Sequence, residues 1–375
     1  MNNCTVLIKP SSSNCNLNCS YCFYKDVAKN RDVFSNGIMS IDTLENIIKD
    51  VLDSNIDNCD FMFQGGEPTL VGLEFYENLI NLQNKYNKND INISNSIQTN
   101  CISIDDKFAK FFFDNNFLVG VSLDGPRFIQ DKYRVDYLDK GSFDDVIKGI
   151  SLLRKYKVNF NILSVVTRES VKYIAEIYSF FKANNFNHLQ FIPCIKNFDN
   201  LTLNNISNFD YYLNANDYYI FLDTLFNLWF NDVESGIFIE IKNFIDYITV
   251  LKGYVPTSCG MGGFCSIHNV IESNGDVYPC DFYCIDKYKL GNINYDKLNN
   301  MRFSSISKEF FNRSLYVHDN CKICNYFKLC GGGCRRNLEP YINGIPSLNY
   351  QCYSIKKFLD KNLDKLIHLS RLLKY

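Results

Sequence analysis

The sequence predicts an α/β fold: a parallel sheet from six strand–helix units, then a small metal-stapled domain and a C-terminal helix. Three observations carry this. Short apolar or alternating segments take turns with amphipathic helical stripes through the first half of the chain. The chain has 375 residues, 46% of them hydrophobic, enough for one large α/β domain and a smaller second one. After about residue 236 the periodicity fades and cysteine, glycine and turn residues take over.

The elements follow in order. Thr5–Lys9 reads as a short apolar strand, and Ile41, Leu44, Ile47, Ile48, Val51 and Leu52 fall on one helical face behind Ser40 as N-cap. Phe61–Gln64 is a buried-type strand ending at Gly65-Gly66, followed by a helix near Glu74–Asn87. Ile91–Thr99 alternates as a strand, Asp105–Asn115 reads as helix and Leu118–Leu123 as strand. Phe143–Lys155 is the next helix, Asn159–Val166 the next strand, and Val171, Ile174, Ala175, Ile177, Tyr178 and Phe181 form another helical stripe. His188–Pro193 is the sixth strand. An Asn- and aromatic-rich stretch, 197–235, contains a helix from about Asp217 to Phe230, and an amphipathic helix from about Ser354 to Leu373 ends the chain.

Strand–helix units in sequence imply a parallel sheet with right-handed crossovers, either open and doubly wound or a partial barrel. Both put functional loops at the C-terminal ends of the strands. Cys15–Cys22, Gly65–Pro68, Gln98–Asn100, Ser122–Gly125 and Pro193–Ile195 all fall there. The division expected is residues 1–235 and 236–375. A net charge of −2 without a basic stripe argues against nucleic acid and against an anionic membrane as partner. Met1-Asn2-Asn3-Cys4-Thr5 carries no signal-like pattern, and no stretch reaches the roughly 20 apolar residues of a membrane span. The expectation is a soluble, cytoplasmic protein.

Cysteine is the outlier, with 16 residues, and most are clustered. Cys15-x3-Cys19-x2-Cys22 follows the first strand. Three thiolates on a four-iron cluster leave one iron open to chelate an amino and a carboxylate group; the spacing alone also suits a zinc site completed elsewhere. Gly65-Gly66-Glu67-Pro68 ends the second strand. Two glycines allow close backbone approach to a ligand, and Glu67 can accept from an ammonium. Toward the C-terminus stand Cys259, then Cys265-x9-Gly275-x4-Cys280, then Cys321-x2-Cys324-x5-Cys330-x3-Cys334, then Cys352. Eight thiolates suffice for two fully ligated four-iron clusters, although C-x2-C pairs also serve zinc ribbons and spacing does not reveal the pairing. Cys59, Cys101 and Cys194 read as small core residues, Cys4 precedes a strand, and Cys284 lies near the metal domain.

With these motifs in place, the sequence resembles the radical S-adenosylmethionine superfamily. The signature is Cys15-Asn16-Leu17-Asn18-Cys19-Ser20-Tyr21-Cys22, and Gly65-Gly66-Glu67-Pro68 matches the motif after the second strand. The resemblance implies a partial (β/α)6 barrel. The C-terminal cysteines resemble the SPASM extension of radical enzymes that modify peptides. Cys22-Phe23-Tyr24, Phe63–Thr69, Gln98-Thr99-Asn100, Ser122-Leu123-Asp124-Gly125 and Cys280-Asp281-Phe282-Tyr283 narrow the likeness to the anaerobic sulfatase-maturating enzymes, over about residues 5–355.

That likeness implies three 4Fe-4S clusters and S-adenosyl-L-methionine. Cys15, Cys19 and Cys22 would hold the first cluster, Cys259, Cys265, Cys280 and Cys334 the second, and Cys321, Cys324, Cys330 and Cys352 the third. Tyr21, Gly66, Glu67, Ser122, Arg134 and Ile195 would contact S-adenosylmethionine, with Ile195 where the family often has Leu. Tyr24 and Gln64 would face the substrate peptide. Asp281 would be the base, its basicity raised by partial burial. The substrate implied is a target sulfatase with a Cys-x-Pro-x-Arg or Ser-type motif, oxidised to Cα-formylglycine, with a ferredoxin or flavodoxin as electron donor. A second reading is another peptide-modifying enzyme of the same cluster content, such as one that forms thioethers.

Overall fold

The computed structural model describes residues 3–198 and 211–373. Residues 199–210 of the Asn-rich stretch lie outside the described residues. Contacts divide the chain into two compact units that interleave in sequence. The first contains residues 1–123, 130–161 and 267–309; the second contains 124–129, 162–266 and 310–375.

The six predicted strands are all present, at β1 (Asn3–Lys9), β2 (Asn58–Phe63), β3 (Asn92–Thr99), β4 (Leu118–Ser122), β5 (Phe160–Val166) and β6 (His188–Pro193). In the first unit β1, β2, β3 and β4 pair in sequence order, all parallel. Helix Ile41–Leu52 links β1 to β2 with Ser40 as its N-cap, accepting from the Thr43 N–H at 3.1 Å. Asp105 caps helix Asp106–Asp114 in the same way, accepting from the Phe108 N–H at 2.8 Å. Phe63, Phe75, Tyr76, Phe108, Phe112 and Phe117 fill the space between sheet and helices with mostly edge-on ring contacts.

Sequence reading missed the other edge of this sheet. β8 (Val270–Glu272) pairs parallel with β1, with Lys9 opposite Glu272. β9 (Asp276–Tyr278) and β10 (Gly291–Asn292) extend the edge in antiparallel pairings. Strands of two or three residues are too short to show a period.

In the second unit β5 and β6 are parallel, and β7 (Glu240–Ile241) extends them. The predicted helix near Asp217–Phe230 spans Ala215–Glu234, and the C-terminal helix spans Cys352–Leu372. These two helices pack together. Phe358 sits against Phe226 and Phe244, with ring centroids 5.3 and 6.0 Å apart. Asp223 accepts from Lys361 and Asn362 at 2.7 and 2.8 Å. Trp229 is fully buried and donates its ring N–H to the Ile239 carbonyl at 2.7 Å. Among the described residues no helix is long and apolar enough to cross a membrane.

Trp229 is the single tryptophan of the chain, so its fluorescence reports on this core. Phe358→Ala should cost about 3–5 kcal/mol, the usual scale for a buried Phe. Anaerobic unfolding followed at Trp229 should show the midpoint fall; an unchanged midpoint would mean that the helix is not held through this ring.

Candidate active site

β1 ends at Lys9, and the next thirteen residues, 10–22, carry the first three cysteines before helix Phe23–Lys29 begins. The loop is fixed by its backbone. Asn18 N–H donates to the Val135 carbonyl at 2.7 Å, Ser20 N–H to Tyr133 at 3.1 Å, and Cys22 N–H to Cys19 at 3.3 Å. Backbone N–H groups also point at sulfur: Leu17 N–H lies 3.4 Å from Cys15 Sγ, and the Lys25 N–H bonds Cys22. Burial, then the Glu67 carboxylate and the neighbouring Cys19 and Cys22, push the Cys15 thiol up to about 12. Burial also raises Cys22. Thiols crowded in this way hold their protons until a cationic centre displaces them, which is how metal binding couples to proton release. The donor set therefore fits an iron–sulfur cluster.

The Gly65-Gly66 turn packs onto this loop. Gly66 N–H donates to Ser12 at 2.7 Å and Glu67 N–H to Asn14 at 2.8 Å. A Cβ on Gly66 would stand 2.0 Å from the Asn14 carbonyl oxygen, and Gly65 has φ +139°. These glycines thus let the turn approach the protein's own backbone closely. Glu67 is buried and joins two strand ends. Its Oε1 accepts from the Thr69 N–H at 3.1 Å and from the Thr69 and Thr99 hydroxyls at 2.7 Å each; Oε2 accepts from the Asn100 N–H at 2.8 Å. Oε2 keeps a lone pair for a further donor.

Tyr21 is buried edge-on against Tyr133 at 5.9 Å, with the Arg134 guanidinium 5.4 Å from its ring centroid. Ser122, half-buried at the end of β4, accepts from Gln98 Nε2 at 3.0 Å. Gln64 continues β2 by donating its N–H to Ile8 at 3.0 Å. Ile195, in the second unit, follows Cys194, whose N–H bonds the Val166 carbonyl at the end of β5. Four of the six predicted cofactor contacts, Tyr21, Gly66, Glu67 and Arg134, thus stand on or beside the cysteine loop.

Asp281 is ion-paired, which its place in the sequence does not reveal. It opens a short 3-10 turn directly after Cys280 and forms an ion pair with Lys9, whose side chain is 0% exposed against 17% for Asp281. Burial works against the Lys9 charge, but Asp281, Cys284 and Glu272 outweigh it and raise Lys9 above its ordinary value. Lys9 also lies 3.6 Å over the Tyr24 ring. The Tyr24 hydroxyl donates to Glu272, and Arg31 Nη1 reaches the same Glu272 oxygen at 2.8 Å. Burial lifts Glu272 to about 7 against the opposing Lys9 charge. Tyr24 is therefore buried, with its hydroxyl committed inside the protein. Lys9, Arg31 and Glu272 were not picked out from the sequence. Cys284 is fully buried, raised by burial, and donates weakly to the Cys280 carbonyl.

Cys280 lies in the first unit, and the other C-terminal metal-type cysteines stand in the second. Cys321, Cys324, Cys330 and Cys352 line one cavity of about 300 Å³ with Tyr326, Phe327 and Ile355. Cys334 stands near Cys259 and Cys265 instead: beside the larger effect of burial, both raise the Cys334 thiol, and Cys259 raises that of Cys265. The divergence of Cys330 from Cys334 has a visible cause. Gly331, Gly332 and Gly333 all have positive φ, 63°, 85° and 95°, a turn that residues with a Cβ resist. N–H groups of Gly260, Gly332 and Arg336 face Cys259, Cys330 and Cys334. Cys59, Cys101 and Cys194 are buried small residues. Among the described residues no three cysteine, histidine or carboxylate side chains surround a single ion position. In a four-iron cluster each thiolate takes its own iron, so donors stand further apart.

Replacing Glu67 by Gln turns one acceptor oxygen into a donor, which must then face N–H or hydroxyl donors. Glu67→Gln should lower stability by about 1–3 kcal/mol. Anaerobic thermal unfolding that matches the parent protein would show that the joint between β2 and β3 does not depend on this carboxylate.

Comparison with known proteins agrees with this arrangement. The family model of the radical SAM superfamily matches residues 10–181, and that of an iron–sulfur cluster-binding domain, SPASM, matches 259–325. A cysteine-type anaerobic sulfatase-maturating enzyme of Clostridium novyi (strain NT) is 47% identical over 375 residues, covering 100% of this chain and 99% of that protein. Another, of Clostridium perfringens (strain 13 / Type A), is 43% identical over 371 residues, 99% of each. The solved structure of native anSMEcpe with bound AdoMet and Cp18Cys peptide superposes with a TM-score of 0.93 at 41% identity, covering 99% of this chain and 100% of that one. The chain belongs to the radical SAM superfamily and, within it, to the anaerobic sulfatase-maturating enzymes.

Proposed function

We propose that this enzyme oxidises a cysteine of a target sulfatase to Cα-formylglycine. The observation that carries the reading is Asp281, a carboxylate partly open to solvent, fixed by Lys9 and placed directly after Cys280 in a chain otherwise equipped for radical chemistry. Identity to two cysteine-type relatives over nearly the whole chain supports cysteine over serine as the target residue.

The overall change is balanced as follows. The substrate CH2–SH loses a hydrogen atom from Cβ, a proton from sulfur and one electron, giving CH=S. Water then replaces sulfur, giving the aldehyde and hydrogen sulfide. When bound, S-adenosylmethionine and an iron–sulfur cluster at Cys15, Cys19 and Cys22 would supply the radical chemistry, and clusters at the C-terminal thiols would supply an electron acceptor. The chain's own residues do the rest. Cys15, Cys19 and Cys22 would hold the first cluster. Tyr21, Gly66, Glu67, Ser122, Arg134 and Ile195 bind and orient S-adenosylmethionine, Arg134 being suited to pair its carboxylate. Gln64 meets the peptide. Asp281 takes the thiol proton. Tyr24, beside Lys9, faces the peptide with Gln64. The eight remaining thiols share two clusters, with Cys321, Cys324, Cys330 and Cys352 forming one set. The division into a radical-forming part, 1–235, and an auxiliary-cluster part, 236–375, is one of chemistry, while packing follows the interleaved units. A small acidic electron carrier such as a ferredoxin or flavodoxin supplies the reducing electron.

Three four-iron clusters mean about 12 irons per chain after anaerobic reconstitution. The variant with Cys15, Cys19 and Cys22 all changed to Ala should keep about 8 irons and form no 5′-deoxyadenosine. Stoichiometric zinc with a single cluster, or deoxyadenosine from the triple variant, would reject the assignment of the thiols.

A peptide carrying Cys-x-Pro-x-Arg should release sulfide and gain a carbonyl that reacts with hydrazine, with S-adenosylmethionine consumed in proportion. A product that keeps its sulfur and lacks that carbonyl would point to thioether chemistry instead. The serine peptide is the control for target choice and should be the poorer substrate.

A further inference from the structure

We propose that Lys9 is a positioning residue for the reaction: it occupies Oδ1 of Asp281 and so leaves Oδ2 as the oxygen that meets the substrate thiol. The proposal rests on Asp281 being the proton acceptor.

Lys9 cannot easily move. It is the last residue of β1, which is paired on both edges, Ile8 to Phe63 and Lys9 to Glu272. Its ammonium is fully buried. Among the described residues, Lys9 Nζ and Asp281 Oδ1 are both buried and have no hydrogen-bond partner beyond their ion pair. Oδ1 is closed off while the Asp281 side chain is 17% exposed, so the open part of that side chain lies away from Lys9.

The nearest rival partner for Lys9 is Glu272, directly across the strand pairing. That carboxylate is already engaged. Arg31 Nη1 and the Tyr24 hydroxyl both bond its Oε1, and Ser273 N–H approaches Oε2 at 3.4 Å. Arg31 is itself held by Ser12 Oγ at 3.2 Å and the Phe34 carbonyl at 2.9 Å. Lys9 is thereby directed to Asp281, with the Tyr24 ring as a floor beneath it. A buried ion pair is a poor device for stability alone, because desolvation cancels most of the attraction. As a device for holding a carboxylate in one rotamer it is effective, and misplacing a reacting group by about 1 Å can cost about a hundredfold in rate.

The test counts aldehyde formed per 5′-deoxyadenosine with a Cys-x-Pro-x-Arg peptide, for Lys9→Met, Lys9→Arg, Asp281→Asn and the Lys9→Met/Asp281→Asn double variant. Lys9→Met should keep its iron and still form deoxyadenosine, while the aldehyde ratio falls at least about tenfold. Lys9→Arg should recover part of the ratio. The double variant should be no worse than Asp281→Asn, because both changes act through one carboxylate. An unchanged ratio in Lys9→Met, or losses that multiply in the double variant, would overturn the proposal and leave Asp281 as the acceptor. A near-normal ratio in Asp281→Asn would overturn the underlying reading instead. The ratio is counted per deoxyadenosine, so a partly folded preparation still reports it. If Lys9→Met assembles no clusters, Lys9→Gln takes its place with the same outcomes.

Discussion

The pairing of β1 on both edges is the constraint on which the site depends. A strand cannot slip by one residue without turning each side chain to the opposite face. β1 is locked to β2 through six residue pairs and to β8 through three. Two site segments leave from the C-terminal ends of β1 and β2, and a third follows β9, which runs back antiparallel to β8. The cysteine loop follows β1, Gly65-Gly66-Glu67 follows β2, and β8 leads through β9 to Cys280-Asp281. Their mutual positions follow from one register rather than from the loops. The loops then add contacts of their own, Gly66 on Ser12 and Asn14, and Lys9 on Asp281.

Burying charge at the end of β1 carries a cost that a hydrophobic core would avoid. Two cations, Lys9 and Arg31, share the space with two carboxylates, Asp281 and Glu272. Desolvation lifts Glu272 to about 7, so this buried carboxyl is close to accepting a proton at neutral pH, whereas Lys9 stays charged. Such a cluster is tolerated where every member is matched. Removing one member strands a charge in a low-dielectric interior, so a single substitution here should destabilise more than exchange of a surface pair.

Much of this was legible in the sequence. The six strands, the Ser40 cap and the C-terminal helix follow from period and capping chemistry, which are local. The first cysteine triad is legible because one short loop supplies all three thiols. The Lys9 network was not legible, for physical reasons. A lysine at a strand end looks like a solvated terminus, and Glu272-Ser273-Asn274-Gly275-Asp276 looks like a bare turn. Only the pairing of a three-residue strand with β1 buries both side chains. Tyr24 was read by its place after Cys22, yet helix Phe23–Lys29 turns it inward. The Gly331-Gly332-Gly333 run was a usable signal: three glycines between two cysteines permit a left-handed turn that sends the flanking thiols to different sites.

The proposed reaction sends a hydrogen atom, a proton and an electron to three separate acceptors, and separate acceptors need separate supports. In this proposal the thiols on the loop after β1 would hold the centre that makes the radical. Asp281, held from β1 through Lys9, would take the proton. The C-terminal helix carries Cys352 to the cavity shared with Cys321, Cys324 and Cys330. None of these supports is made of the residues that form another, although β1 lies behind two of them. Damage to the proton acceptor can therefore leave radical formation intact. Hydrogen abstraction would then proceed without a matched proton transfer, and cofactor would be consumed without aldehyde. On this proposal, coupling of aldehyde to cofactor consumption would depend on holding Asp281 in place.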